Sequence, residues 1–238
     1  MPILNHALAS GMQVEVYSNL VSIKPDIWDA LSQERVSLAT SYYSSNPAEH
    51  RAITQRNTAK PIRKNIQEAL RRGIPLRVGI VGVLPDQNIE GAKAELIEMG
   101  IDPERIGVDY MRQVGRGVRD QEPSTEELCG NCANGVIAVG PDGGVHPCVF
   151  TRWDDMQVGN VLDAPLGEIF AGERFGKVHN GLIEIFTNSS FPCRPQCGPN
   201  CPPSTGCGPC NPDRKPCFPL TKPPPKPDPP KPPTPPRR

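Results

Sequence analysis

Residues 128–148, LCGNCANGVIAVGPDGGVHPC, constrain this chain more than any other stretch. Cys129 and Cys132 stand in a C-x2-C step. Cys148 follows a Pro-Asp-Gly-Gly turn signal set between two apolar runs. Residues 136–139 and 145–150 predict two strands joined at Asp142-Gly143, where Asp-Gly supplies the positive-φ positions of a tight hairpin turn. Such a hairpin folds Cys148 back toward Cys129 and Cys132. Three soft thiolates at one end of a two-stranded ribbon make a metal or iron–sulfur site in need of a fourth ligand. Spacing alone does not separate zinc from iron. His146, beside Cys148, is expected to face solvent.

The rest of the composition agrees with metal rather than disulfides. All nine cysteines lie at or after Cys129. An odd count, behind an N-terminus without a basic start and long apolar core, argues for ligation in a reducing compartment. A soluble cytoplasmic protein is expected. The chain has 238 residues and a formal net charge of +0, which gives no reason to expect a nucleic-acid or membrane partner. Its longest apolar run, 78–84, is far short of the roughly 20 residues that span a bilayer.

Ahead of the cysteines the pattern is strand, helix, strand, helix. Residues 13–17 alternate and end at Ser18-Asn19, a strand and a turn. Residues 25–31 suit a short helix with Pro25 in its first turn. Residues 36–42 predict a second strand. Over 58–72, Ile62, Ile66 and Leu70 recur at four-residue steps, and Gly73 stands where a C-terminal cap belongs. Residues 76–81 form a third, buried strand. Asn88 caps a helix that runs to Met99 and stops at Gly100. Residues 105–111 form a fourth strand. This spacing predicts βα units on a parallel sheet. Ligands of such sheets gather beyond the carboxyl ends of the strands, here Ser18-Asn19, Ser41-Tyr42-Tyr43, Gly82-Val83 and Arg112. The opening MPILNHALASG looks like the tail of a helix feeding a strand, as in the later part of a larger barrel.

These segments resemble the C-terminal part of a radical S-adenosylmethionine enzyme carrying a SPASM domain. VEVYSNL resembles the family's strand ending in a Thr-Asn-Gly-like turn. RVSLATSYYSSNPAEH resembles its next strand and the His that follows, ALRRGIPLRVGIVG the helix–strand pair after it, and VDYMRQVGRG the Arg-x-x-Gly-Arg exit from the barrel. CGNCANGVIAVGPDGGVHPC with VGNVLDAPLGEIF is the strongest match. Cys132, Gly143 and Cys148 fit the family's spacing of a cysteine, a glycine about ten residues on, and a cysteine after four more. The similarity covers roughly residues 12–170.

The resemblance implies an α/β fold. A partial (β/α) barrel over 1–120 precedes a small cysteine-rich SPASM-like β-hairpin domain over 121–218 and a disordered Pro-rich tail over 219–238. It also implies radical chemistry on a peptide or protein. In the family a 4Fe-4S cluster in the barrel reduces S-adenosylmethionine, and the 5′-deoxyadenosyl radical so formed abstracts a hydrogen atom. Auxiliary 4Fe-4S clusters in the SPASM domain anchor substrate or carry electrons, which brings in an electron donor. The cysteines implied as ligands are Cys129, Cys132 and Cys148, with Cys193, Cys197, Cys201, Cys207, Cys210 and Cys217 in the tail. Those six are spaced differently from the family's pattern and are not assigned to particular irons. Arg56 matches an arginine that meets the cofactor carboxylate, and an exposed loop arginine is the plainer account. Ser18 and Asn19 suit the cofactor ribose, and equally a turn. Arg112 and Arg116 suit a carboxylate or a structural pair. The family's CxxxCxxC run has no counterpart, since no cysteine precedes Cys129. Two expectations follow: an N-terminally truncated radical enzyme, or a non-catalytic, metal-stabilised interaction module.

Overall fold

The computed structural model describes residues 2–111, 125, 128 and 132–188. Cys129, the six tail cysteines, Arg112, Arg116 and residues 219–238 lie outside them. Helix α1, Pro2–Ala9, leads into four strands: β1 Val14–Tyr17, β2 Val36–Tyr42, β3 Leu76–Gly82 and β4 Ile106–Tyr110. They pair in parallel in the order β1-β2-β3-β4. Parallel neighbours cannot be joined by a tight turn, so each step carries a helical crossover. The crossovers are α2, Pro25–Leu31; the pair α3, Pro47–Thr54, and α4, Ala59–Arg71; and α5, Ile89–Glu98.

Burial alternates along β1 and β3, while β2 and β4 also bury Ala39 and Gly107. Val16, Leu38 and Leu76 stand in one row, Thr40, Val78 and Ile106 in the next, and Tyr42, Ile80 and Val108 above them. These rows and the helices form a single apolar layer, with Ile66, Leu96 and Leu38 wholly buried in it. The other face carries Glu15 and Ser37, then Tyr17, Ala39 and Arg77, then Ser41, Gly79 and Gly107. One face is greasy and packed, and the other is polar or small.

The helix ends follow the sequence closely. Ala59, Ile62, Ile66 and Ala69 make the buried stripe of α4. Gly73 takes φ +67, while Ile74 N–H reaches back to Ala69 O at 3.0 Å, an arrangement that uses up the last helical carbonyls. The Asn88 side chain accepts the Gly91 N–H at 2.8 Å, and Gly100 turns the chain at φ +97. The short helix α3 goes beyond what the sequence pattern announces. Its Asn46 cap accepts the Ala48 N–H at 2.8 Å and Pro47 opens it, but it has no apolar stripe for periodicity to detect.

A second sheet has β5 Ala138–Val139, β6 Gly144–His146 and β7 Gly159–Asn160, each antiparallel to the next. Helices α6, Leu166–Ala171, and α7, Glu173–Asn188, follow. The first two strands are shorter than expected. Ala133 and Gly135 hold positive φ before β5 begins. Pro147, without an N–H, ends β6. The turn differs too. Only Gly143 takes a positive φ, +82, and its N–H bonds Gly140 O at 3.0 Å. Pro141 fixes the first corner of a three-residue loop, and Gly143 supplies its left-handed exit. Asn160 Nδ2 donates to Asp142 O at 3.0 Å, so the Gly-Asn of β7 staples the loop.

Leu38→Ala, which empties a site with no solvent exposure, should lower unfolding stability by about 2–5 kcal/mol. A lower urea midpoint with an unchanged slope is the expected reading.

Candidate metal centre and the carboxyl edge of the sheet

Side chains hold the loops at the carboxyl edge by replacing the strand hydrogen bonds that end there. After β1, Ser18 Oγ accepts the Leu20 N–H and Asn19 Oδ1 the Val21 N–H, each at 3.2 Å. Both residues therefore build the turn. Leu20 is fully buried at φ +52, and Asn65 of α4 donates to its carbonyl at 2.7 Å. After β3, Gln87 makes four bonds. Its Oε1 accepts the Val83 and Leu84 N–H groups at 2.7 and 3.2 Å, and its Nε2 donates to Val81 O and Tyr43 O at 2.8 and 2.6 Å. One amide thus ties the ends of β2 and β3 together. No sequence pattern marks a lone loop glutamine for this.

Tyr42 is buried with its hydroxyl on Glu95, and Arg63 grips Glu95 at 2.6 Å and Ser45 O at 2.6 Å. Burial, then the Glu95 carboxylate, pushes the Tyr42 phenol far up, so it stays a hydrogen-bond donor. Tyr43 meets His50 edge-on, with ring centroids 6.0 Å apart. His50 is wholly buried and its Nε2 lies 2.9 Å from Thr58 Oγ1. Its Nδ1 has no partner among the described residues. A charged ring would place an N–H there with nothing to accept it. Burial first, and the Arg63 guanidinium second, accordingly hold this imidazole below its ordinary 6.5. The His50–Thr58 contact closes the loop that carries Arg56, which is exposed.

On the open face, Arg77 makes a forked pair with Glu15, reaches the Tyr17 hydroxyl and lies 5.4 Å over its ring. Burial pushes the Glu15 carboxyl up, but the Arg77 fork and charge outweigh it and leave it below the usual range.

The thiols meet in the second unit. Cys132 Sγ lies 3.3 Å from Cys148 Sγ, and Ala133 N–H bonds Pro147 O at 3.0 Å beside them. Leu128, Leu182 and Phe186 pack around Cys132, with Cys148, Trp153 and Met156 against the same cluster. Helix α7 supplies part of this wall. Its apolar 175-178-182-186 spacing is legible in the sequence. Phe150 N–H points at Cys148 Sγ at 3.4 Å. The Cys132 thiol contact, opposed by burial and helped by the Phe150 amide, brings the Cys148 thiol down to about 6. That direction favours the thiolate, the form that ligates metal.

His146 is a correction. It is buried, not solvent-facing, because its Nδ1 donates to Thr151 O at 3.1 Å.

The donor set fits a thiophilic metal: two sulfurs, an apolar surround and an amide aimed at sulfur. Among the described residues no three His, Cys, Asp or Glu side chains gather, so this pair is an incomplete ligand set. Two thiolates on one tetrahedral ion lie about 3.8 Å apart for metal–sulfur bonds of about 2.3 Å. The observed 3.3 Å is closer than that and selects neither metal.

Comparison with known proteins shows what the chain is similar to. Residues 129–202 match the SPASM family, an iron-sulfur cluster-binding domain. The fold is similar to those of two solved proteins. Native anSMEcpe with bound AdoMet and Kp18Cys peptide superposes at a TM-score of 0.53 with 13% identity, over 71% of this chain and 60% of that one. Streptococcus suis SuiB gives 0.58 with 13% identity, over 77% and 54%. SuiB bound to S-adenosylmethionine gives 0.58 with 12% identity, over 76% and 52%. The chain thus spans between half and two thirds of these proteins' length. No curated sequence matches. The resemblance is borne out as a likeness: residues 129–202 match the SPASM iron–sulfur cluster-binding domain, and the fold is similar to those of anSMEcpe and SuiB.

The His50 environment predicts a pH effect with a definite sign. A histidine whose folded pKa is lowered keeps its full stabilisation above the unfolded value and loses it as pH falls below about 6.5. The urea midpoint should therefore drop between about pH 7 and pH 5.5, and His50→Leu should flatten that slope.

Proposed function

We propose that this chain forms part of a radical S-adenosylmethionine/SPASM enzyme that modifies a peptide or protein. Residues 1–120 supply part of a (β/α) barrel, and 121–218 an auxiliary iron–sulfur domain with a Pro-rich tail behind it. The observation that carries this reading is the meeting of Cys132 and Cys148 at 3.3 Å within residues matched to an iron–sulfur domain. Cys129 adds a third thiolate from three positions before Cys132. One of Cys193, Cys197, Cys201, Cys207, Cys210 and Cys217 completes the set, and the others serve a second 4Fe-4S cluster.

The chain's own residues have definite tasks. Cys132 and Cys148 hold thiolates in an apolar wall that keeps water off the sulfur. Ser18 and Asn19 set the β1 turn at the edge where ligands of parallel sheets bind, and Arg56 offers a cation to a carboxylate on a loop closed by His50 and Thr58. Above Arg77 the open face carries the small residues Ser41, Gly79 and Gly107. S-adenosylmethionine, when bound and reduced, supplies a radical able to abstract hydrogen. An electron donor and a peptide substrate are the partners. No helix among the described residues is long and apolar enough to cross a membrane.

A metal-stabilised interaction module is the second reading, favoured by the absence of cysteine from residues 1–128. Anaerobic reconstitution of the full chain with iron and sulfide separates the two metals. Uptake of about four irons per cluster with broad visible absorbance supports the iron–sulfur reading. Colourless protein holding zinc sinks it. Cys148→Ser should lose the cluster that this sulfur ligates, about half of the bound iron where two clusters are held, because it removes one of that cluster's thiolates. Unchanged iron in that variant would rule Cys148 out as a ligand.

A further inference from the structure

Cys148 sits at the head of a turn whose bonds exceed what holding a cysteine requires. Thr151 is wholly buried. Its hydroxyl accepts the Cys148 N–H at 3.0 Å and donates to Cys148 O at 3.0 Å. Its own N–H bonds the same carbonyl at 3.2 Å, and its carbonyl takes the His146 ring proton at 3.1 Å. The four residues from Cys148 to Thr151 are therefore locked from both ends. Phe150, inside this lock, aims its N–H at the Cys148 sulfur at 3.4 Å. The turn presents a backbone dipole to one sulfur.

An N–H directed at a ligating sulfur favours the more negative, reduced state of the metal group and so raises its reduction potential. We propose that Thr151 is a positioning residue: by closing the Cys148–Thr151 turn it holds the Phe150 amide on the Cys148 sulfur and so sets the reduction potential of the cluster that this sulfur ligates. The proposal rests on Cys148 being a ligand. A merely structural threonine would affect how much cluster is held. It would not affect the potential of the cluster that is held.

The test uses the full chain, reconstituted anaerobically with ferrous iron and sulfide. The midpoint is read by titration with dithionite and mediator dyes, dithionite giving one electron to each cluster reduced, with detection by electron paramagnetic resonance. Thr151→Val keeps the side chain's shape and removes the hydroxyl. With iron per chain retained, its midpoint should move to lower potential, and Thr151→Ser, which restores the hydroxyl, should return it to the wild-type value. Exchange into heavy water adds a second reading. The reduced wild-type signal should carry a coupling from an exchangeable deuteron at the sulfur, weakened in Thr151→Val and present in Thr151→Ser. An unmoved midpoint in Thr151→Val with iron retained overturns the proposal. So does a wild-type signal without the deuteron coupling, which decides the matter even where Thr151→Val takes up no iron. A wild-type chain that takes up no iron overturns the ligand reading beneath it, a distinct failure.

Discussion

A parallel strand pair cannot close on itself, and most of the first unit follows from that. Each of β1, β2 and β3 must be followed by a crossover long enough to return the chain to the starting edge. With the strands in unbroken order and the crossovers right-handed, the helices fall on one face. That face collects Leu38, Ile66, Val78 and Leu96 into one core. The opposite face is left to Glu15, Tyr17, Arg77 and the small residues above them. All strand ends where ligands bind then share one edge. An order that reverses midway would have put helices over both faces and split that edge with a crevice.

The edge carries a cost that the sequence hides. Where strands stop, backbone donors and acceptors lose their ladder and must find other partners. Gln87, Asn65, Arg63 and Ser44 supply them, each bonding to a backbone group of a loop. The Arg63–Glu95 pair joins α4 to α5 and also takes in the Tyr42 hydroxyl, so a single break would leave part-buried polar groups unpaired. The Arg77–Glu15 pair is about one-third exposed. Screening leaves such a pair worth about 1 kcal/mol or less. Its role is shape, since it fills the lower part of the open face, below the small residues.

What was legible in the sequence was local and repetitive. The Gly73 and Asn88 helix boundaries came from residues whose backbone preferences hold in any fold. The return of Cys148 toward Cys132 came from the turn between two apolar runs. The missed features depend on distant partners. Helix α3 is a capped but stripeless segment. Gln87 acts on strands that meet only in three dimensions. His146 looked exposed because it neighbours a turn, yet the carbonyl of Thr151 draws it inward. The loop at Asp142-Gly143 differed because Pro141 had already fixed its first corner. Helix α7 is the exception, since Phe175, Val178, Leu182 and Phe186 announced its buried side plainly.

The two units hold themselves together by different means. The first has a continuous core that spans a sheet and its helices. The second divides its apolar residues between a cluster around Val145 and Ile169 and another around Leu128 and Leu182, joined by Val178. Its strands are two or three residues long. Sheets so short bury little and fold poorly alone. Ala133 adds a left-handed backbone that costs roughly 1–2 kcal/mol, and the Ala133–Pro147 hydrogen bond offsets part of it. Small units of this kind draw stability from a metal, because ligand binding and folding are then one equilibrium. The apolar wall of α7 around Cys132 and Cys148 serves the fold and, on the proposed reading, the site as well. It shields the sulfurs from water, and metal bound there would pull β5, β6 and α7 into one piece.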